Sequence, residues 1–264
     1  MRARGLRGAI AAWITLSLGA TPSEAQQTVA STVRAIGSGT LRLQFNARDG
    51  VCGSGNGNGQ FMRYYGQRNY RNAKREWDSE CEAGPVRVAV DVSGGVPTAL
   101  RFYLGGRWGA ARSATDVGAV SASDAGAYFV RLAETAAGKV ARDAMSVATL
   151  ADSAVVWPTL LRIAKDASRD REQRKSAVFW LGQAVGDAAA ELNGLAEDES
   201  EDLEIRKQAV FALSQRPKDE AVPALLAIVR SKLDPRLRRN AIFWLGQSGD
   251  PRAVAYFEEV LTKP

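Results

Sequence analysis

Histidine is absent from the 264 residues of this chain. Its absence excludes the commonest general base, the Ser-His and Cys-His nucleophile pairs, and most zinc sites. A mechanism that uses carboxylates alone stays open, and the densest acidic stretch is the run EDESEDLE at 197–204. This run lacks the Asp-x-Asp-x-Asp-Gly spacing of a calcium loop, and it precedes a predicted helix start, where negative charge is favourable. We interpret it as a solvated turn, and we expect no catalytic site, metal or other cofactor.

Cysteine is scarce, since the chain has only Cys52 and Cys81. Their separation does not match a Cys-x-x-Cys motif, and without histidine a mixed metal site has no ligands, which argues against a redox or metal pair. An even count in an oxidising compartment favours one disulfide. The sequence therefore predicts a Cys52–Cys81 bond, which would stabilise the fold by roughly 3 kcal/mol.

Long apolar runs are absent beyond the first 25 residues. Residues 1–25 contain three arginines, an apolar run over about 8–20 and the small-x-small sequence SEA at 23–25. The run is shorter than the roughly 20 residues needed to cross a bilayer. The pattern is typical of a signal peptide that is cleaved after Ala25. We expect a periplasmic or secreted protein, modestly basic after cleavage, whose mature chain does not insert into a membrane.

Residues 26–110 are predicted to form a small β module. Leu41, Leu43 and Phe45 alternate with polar residues, as in a half-buried strand. Two further alternating runs, at 86–92 and 100–104, flank the turn Ser-Gly-Gly at 93–95, and this arrangement predicts a β-hairpin. Together with the predicted disulfide, these strands indicate a module that covers one end of the helical region.

A basic and aromatic stretch lies between the two cysteines, at 62–77. Its cations alternate with three tyrosines and a tryptophan and are Arg63, Arg68, Arg71, Lys74 and Arg75. Such a mixture suits single-stranded nucleic acid, because cations follow phosphates and rings stack on bases. Since an exported protein rarely meets nucleic acid, we interpret the stretch as a solvated loop. If it has a function, a polyanion such as a surface polysaccharide or anionic headgroups is the expected ligand.

Three similar decamers organise the rest of the chain: RKSAVFWLGQ at 174–183, RKQAVFALSQ at 206–215 and RRNAIFWLGQ at 238–247. They begin 32 positions apart, and a fixed period of this size is the signature of a helical repeat array. Asp170, Asp202 and Asp234 each stand four residues before a decamer, where a carboxylate caps a helix N-terminus. The predicted fold is α+β, with a helical solenoid over 120–264 that contains one degenerate repeat at about 138–168 and three clear ones.

The run DPRLRRNAIFWLGQSGD at 234–250, preceded by VPALL at 222–226, resembles HEAT repeats of the short bacterial type found in phycobilin lyases. The resemblance covers about residues 138–264 and implies stacked helical hairpins. It implies little about activity, because the same repeats occur in lyases, DNA-repair glycosylases and plain scaffolds.

The fixed period predicts three parallel ladders of side chains across the array. On a helical wheel these positions lie opposite the main apolar face. The ladders comprise the cations Lys175, Lys207 and Arg239, the phenylalanines Phe179, Phe211 and Phe243, and the glutamines Gln183, Gln215 and Gln247. An exposed ladder would suit an extended acidic or amphipathic peptide. Alternatively, the phenylalanines pack between neighbouring helices, which bury each other's flanks in a solenoid.

The sequence as a whole favours a non-catalytic scaffold of the bacterial cell envelope, which binds another protein through the helical repeats. Two alternatives stay open: a polyanion-binding module that uses 62–77, and a carboxylate-dependent lyase or hydrolase on the same scaffold. The identity of the partner and the oligomeric state are not determined by the sequence.

Overall fold

The structure is a computed structural model that describes residues 28–53, 55, 84–110, 113–184 and 188–262. A four-stranded sheet is followed by a long series of helices, which confirms the predicted α+β class. None of the helices in these ranges has the length and apolar character needed to cross a membrane. The predicted signal peptide lies outside the described residues, as do Cys81 and the stretch 62–77. The Cys52–Cys81 bond therefore stays a prediction.

The sheet has the strand order β3-β2-β1-β4. Its strands are β1 (Gly39–Phe45), β2 (Val86–Ser93), β3 (Val96–Leu104) and β4 (Ala114–Ala119). The predicted hairpin is confirmed, because β2 and β3 pair antiparallel around the turn at Gly94 and Gly95. Strand β1 pairs antiparallel with β2 and parallel with β4. The alternation of residues does not reveal β4, since none of its side chains is fully buried.

Ten helices are described. They are α1 (Val29–Ile36), α2 (Ala122–Thr135), α3 (Gly138–Leu150), α4 (Trp157–Lys165), α5 (Arg171–Gln183), α6 (Ala188–Glu197), α7 (Leu203–Ser214), α8 (Lys218–Arg230), α9 (Pro235–Ser248) and α10 (Pro251–Thr262). Each decamer forms most of a first helix, namely α5, α7 or α9, and a second helix follows it. Helices α3 and α4 lie in the range predicted for the degenerate repeat, about 138–168, and that assignment stays a prediction.

One apolar core runs through the sheet and the helices. Leu41, Leu43 and Phe45 point from β1 into this core, and the ring of Phe45 lies 6.4 Å from that of Phe129 on α2. Because β-strand side chains alternate, the same strand turns its polar residues to the other face of the sheet. The β module and the array are therefore joined by packing as well as by the chain.

The first helices begin where the aspartate spacing predicts. Carboxylate oxygens of Asp170, Asp202 and Asp234 accept hydrogen bonds of 2.7 to 2.8 Å from backbone N–H groups of the following turn. These bonds satisfy donors that have no partner inside the helix. In addition, the hydrogen bond from the Arg236 side chain holds the pKa of Asp234 well below its ordinary value.

The segment after β1 lies against the ends of two helices. The backbone N–H of Arg48 donates to the carbonyl of Leu150 at 3.0 Å, and Ala47 forms a β-bridge with Ala151. The buried Arg48 guanidinium donates from Nη1 to the carbonyl of Gln183 at 2.6 Å. Arg48 thereby connects the β module to the C-terminus of α5.

Candidate protein-binding surface

Four aromatic side chains form a continuous row across the first helices. We call Phe179, Phe211, Trp244 and Phe243 the aromatic row. The rings of Phe179 and Phe211 are stacked, with centroids 6.1 Å apart and an interplanar angle of 13°. Phe211 lies 4.9 Å from Trp244, which in turn lies 4.9 Å from Phe243. The row therefore links α5, α7 and α9.

The repeat period explains why these rings meet. Phe179 and Phe211 occupy equivalent positions on adjacent, similarly oriented helices, so their side chains lie at the same height. On α9 the equivalent residue is Phe243, but Trp244 reaches back towards α7 and separates it from Phe211. The period thus predicts the row, although it does not predict the insertion of Trp244.

The three phenylalanines differ in exposure. Phe179 and Phe211 are half-buried and pack between first helices, whereas Phe243 is 54% exposed. The interpretation as packed side chains therefore applies to Phe179 and Phe211, and the interpretation as an exposed ladder applies to Phe243. The difference in exposure arises because α9 has fewer neighbouring helices than α5 and α7. Whether the phenylalanines bind a partner stays a prediction.

The cation ladder lies beside the aromatic row. Lys175 contacts Glu172 at 3.3 Å and Lys207 contacts Glu204 at 2.9 Å, so local acids offset part of each charge. Arg239 is exposed, and no ion pair joins it to any other described residue. Three residues before Arg239, at the position where Lys175 and Lys207 have a glutamate, the sequence has Arg236. The positive charge of the ladder is consequently strongest on α9.

The glutamines do not form a ladder on the surface. Gln183 is buried, and its backbone carbonyl accepts a hydrogen bond from Arg48 of the β module. Gln215 is half-buried and donates from Nε2 to Ser214 Oγ at 3.1 Å, and only Gln247 is exposed. The prediction that Gln183 contacts a partner is therefore corrected: because it is buried, it offers little surface to a partner.

The arginines that open the first two decamers have a structural role which sequence reasoning missed. Arg174 Nε donates to the carbonyl of Ala164 at 2.8 Å, and Arg206 Nε donates to Ala196 at 3.0 Å. Both carbonyls stand in the last turn of the preceding second helix, where carbonyls have no partner inside the helix. The sequence signal that could have revealed this role is the arginine at the start of every decamer.

A cleft of about 440 Å³ lies where the β module meets the array. Asp49 and Asp152 are the carboxylates in its lining, and Trp157 and Val155 contribute apolar surface. Ser153, also in the lining, is the one non-glycine residue with positive φ in the described ranges. No group of three or more Cys, Asp or Glu side chains that could hold a metal occurs in the part of the chain that the structure describes.

The family model of HEAT repeats matches residues 192–264. The segment is made of HEAT repeats. It begins within α6 and contains α7 to α10, so it includes Phe211, Trp244 and Phe243 of the aromatic row. The predicted resemblance is thereby confirmed for this segment. No curated protein matches the chain.

Proposed function

We propose that this chain is a non-catalytic scaffold of the bacterial cell envelope, and that it binds another protein along the aromatic row. HEAT repeats generally serve as protein-interaction scaffolds, which supports a binding role for 192–264. The observation that carries the proposal is a row of partly exposed rings that crosses three stacked helices with cations beside it.

The chemistry of the row favours an extended acidic or amphipathic peptide segment. Half-exposed aromatic rings offer apolar area at a low cost in conformational entropy. Lys175, Lys207 and Arg239 flank the rings, and an acidic segment would complement them. Lys175 and Lys207 each form an ion pair with a glutamate of the same helix. We therefore expect the apolar contacts to contribute more to the affinity than the charges do.

The proposed location is the periplasm or the outside of the cell, after cleavage at Ala25. Support comes from the arginine-rich start, the apolar run and the cleavage sequence in residues 1–25. The proposed Cys52–Cys81 bond is consistent with such an oxidising compartment. Cell fractionation with mass spectrometry of the N-terminus tests both parts. A cytoplasmic protein that keeps residues 1–25 would disprove the location.

The binding proposal is tested by site-specific photo-crosslinking in intact cells. A photoreactive residue at Lys207 should give an adduct with one envelope protein, whereas the same residue at Lys139 on α3 should not. Lys139 is a suitable control because it is exposed and has an acidic neighbour on its own helix, as Lys207 does.

Charge reversal provides the quantitative test. With the crosslinked protein purified, Lys207→Glu should weaken its binding by about threefold to tenfold, and Lys139→Glu should leave it unchanged. Phe211→Ala should weaken binding further, with circular dichroism confirming that the variant is folded. Equal adducts at both positions, or no loss of affinity in Lys207→Glu and Phe211→Ala, would contradict the proposal.

A further inference from the structure

The second helices α8 and α10 carry apolar residues at equivalent positions but bury them very differently. Val222 on α8 is fully buried, whereas Val254, 32 positions later on α10, is 52% exposed. The pair Val229 and Leu261 differs in the same way, with exposed fractions of 6% and 84%. The apolar face that α8 uses for packing is thus repeated on α10 and has no cover from the described residues.

The first helices show the same contrast. Val178 on α5 and Val210 on α7 are fully buried, while the equivalent Ile242 on α9 is 39% exposed. Gly182 on α5 allows close approach of α7, because a Cβ there would lie 2.8 Å from the Cβ of Ala212. Its equivalent on α9 is Gly246, and a Cβ at that position would meet nothing within 4 Å. The surface of α9 around Gly246 therefore has room for another helix to pack closely, as α7 packs at Gly182.

Together these residues define one surface, which we call the α9–α10 face. It contains five of the seven large apolar residues that are exposed in the described ranges: Ile242, Phe243, Val254, Val260 and Leu261. A concentration of this kind is typical of an interaction site, because monomeric proteins rarely expose contiguous apolar patches.

The charges around this face are arranged in two opposite halves. The N-terminal half of α9 carries Arg236, Arg238 and Arg239; Arg236 pairs with the cap Asp234, which leaves the charges of Arg238 and Arg239. The C-terminal half of α10 carries Glu258 and Glu259, of which Glu259 pairs with Arg230 on α8. The two helices form a hairpin across Gly249 and Asp250, so the basic half of one lies beside the acidic half of the other.

Such a face is complementary to itself. Consider a two-fold axis that runs parallel to the two helices and passes between them. This axis places α9 of one copy against α10 of the other. A rotation about it does not shift residues along the helix direction, so equivalent residues of the two copies stay at the same level. Arg239 lies four residues after the start of α9, and Glu258 lies four residues before the end of α10. Both are therefore about 6 Å from the same end of the hairpin. Neither has an ion-pair partner among the described residues.

We propose that the α9–α10 face binds the α9–α10 face of a second copy of this chain. Ile242 and Phe243 then pack on the apolar side of α10 of the other copy, and Arg239 pairs with Glu258 of that copy in two symmetric ion pairs. In this dimer Phe243 and Arg239 are occupied, so the partner of the aromatic row contacts Phe179 and Phe211 beside Lys175 and Lys207. A partner that carries charge of one sign would match only half of the face, which is why a second copy fits better.

Sedimentation velocity of the full chain over a range of concentrations tests the proposal. The chain should form a dimer, and Ile242→Glu should raise the dissociation constant at least about tenfold by placing a charge in the apolar contact. Gly246→Ala should also weaken the dimer while leaving the isolated chain folded, because the added Cβ has space in the monomer. A chain that stays monomeric, or a dimer that neither substitution weakens, overturns the proposal.

A charge exchange identifies the arrangement of the two copies. Arg239→Glu and Glu258→Arg should each raise the dissociation constant by about threefold to tenfold, and the double variant should restore it. Reversal of Lys139, which lies far from this face, serves as the control. If the double variant dissociates as readily as the single ones, the proposed pairing is wrong. Capture of a different protein by a monomeric chain would assign the face to a heterologous partner instead.

Discussion

The decamers on α5 and α9 are nearly the same in sequence, yet their side chains have different surroundings. Val178 is fully buried and Ile242 is 39% exposed, although both stand at the fifth position of their decamer. Gln183 is buried and Gln247 is exposed. Helix α5 is enclosed by α3, α4, α6, α7 and the β module, whereas α9 contacts α7, α8 and α10.

This comparison shows that burial in a repeat array depends on neighbours as well as on the repeat sequence. Each hairpin has two apolar flanks, and each flank is buried only when another element lies against it. Residues that stabilise the fold in α5 are therefore available for association in α9. Three pairs of substitutions test this difference, and a single substitution in the cap of α10 follows them. They are given from the largest expected effect to the smallest.

The largest effect is expected for Val178→Asp. An unpaired carboxylate in the core should lower the free energy of unfolding by at least about 4 kcal/mol, because burial of an unpaired charge is costly. Ile242→Asp should change it by less than about 1 kcal/mol, since that side chain reaches water. Urea denaturation at a protein concentration too low for self-association measures both. Similar losses in the two variants would show that α9 is as enclosed as α5.

The second pair concerns the arginines that open the decamers. Arg174 is buried, binds the carbonyl of Ala164 and forms an ion pair with Glu201, whose side chain is also mostly buried. Arg174→Ala should therefore cost about 3 kcal/mol, because it leaves the carboxylate without its cation.

Arg238 is the matched control for Arg174. The carbonyl equivalent to Ala164 is that of Ile228, which accepts instead from Ser231 Oγ at 2.6 Å. The Arg238 Nε is buried and has no hydrogen-bond partner among the described residues. Arg238→Ala should cost less than about 1 kcal/mol in the same denaturation experiment. A loss as large as that of Arg174→Ala would reveal a contact that this structure lacks.

The third pair is Gly182→Ala and Gly246→Ala. At Gly182 the new Cβ overlaps Ala212 of α7, so the variant should lose about 1 to 3 kcal/mol. At Gly246 the Cβ has free space, and alanine should stabilise the monomer by about 0.5 to 1 kcal/mol through its higher helix propensity. Opposite signs in the thermal midpoints would confirm the difference between the two helices, and equal signs would refute it.

The smallest effect concerns the cap of α10. The hydrogen bond from the Arg252 side chain lowers the pKa of Asp250 from 3.8 to about 2. A carboxyl whose pKa is lowered by folding stabilises the folded state above its unfolded pKa, and this contribution is lost as the pH falls through the folded pKa. The stability difference between the wild type and Asp250→Asn should therefore shrink between about pH 4 and pH 2. A difference that does not vary with pH would contradict the role of this ion pair.

Much of the array was predictable because its signals are local and repeated. The period of 32 residues gave the helical hairpins, and the aspartates at 170, 202 and 234 cap their helices as expected. Helix α8 shows where local spacing fails. An aspartate near a helix start is a typical cap, but α8 begins at Lys218 after Pro217, which places Asp219 inside the first turn.

The candidate surface was predictable only in outline. The alignment of Phe179 with Phe211 follows from the period, but the insertion of Trp244 between Phe211 and Phe243 depends on the packing of α9 against α7. The hydrogen bond to the carbonyl of Gln183 comes from Arg48, which is 135 positions away in sequence. Contacts between such distant residues leave no periodic signal in a single chain.

The sequence by itself determined the secondary structure of the array, the caps of its first helices and the alignment of equivalent side chains, because hydrogen bonds and helical periodicity act over a few residues. Only the tertiary structure decided which of those equivalent side chains are covered. Burial is a property of the neighbours that a helix has, and α9 and α10 carry the same apolar pattern as α7 and α8 with fewer described neighbours. That difference turns a repeated packing face into a candidate contact with a second copy.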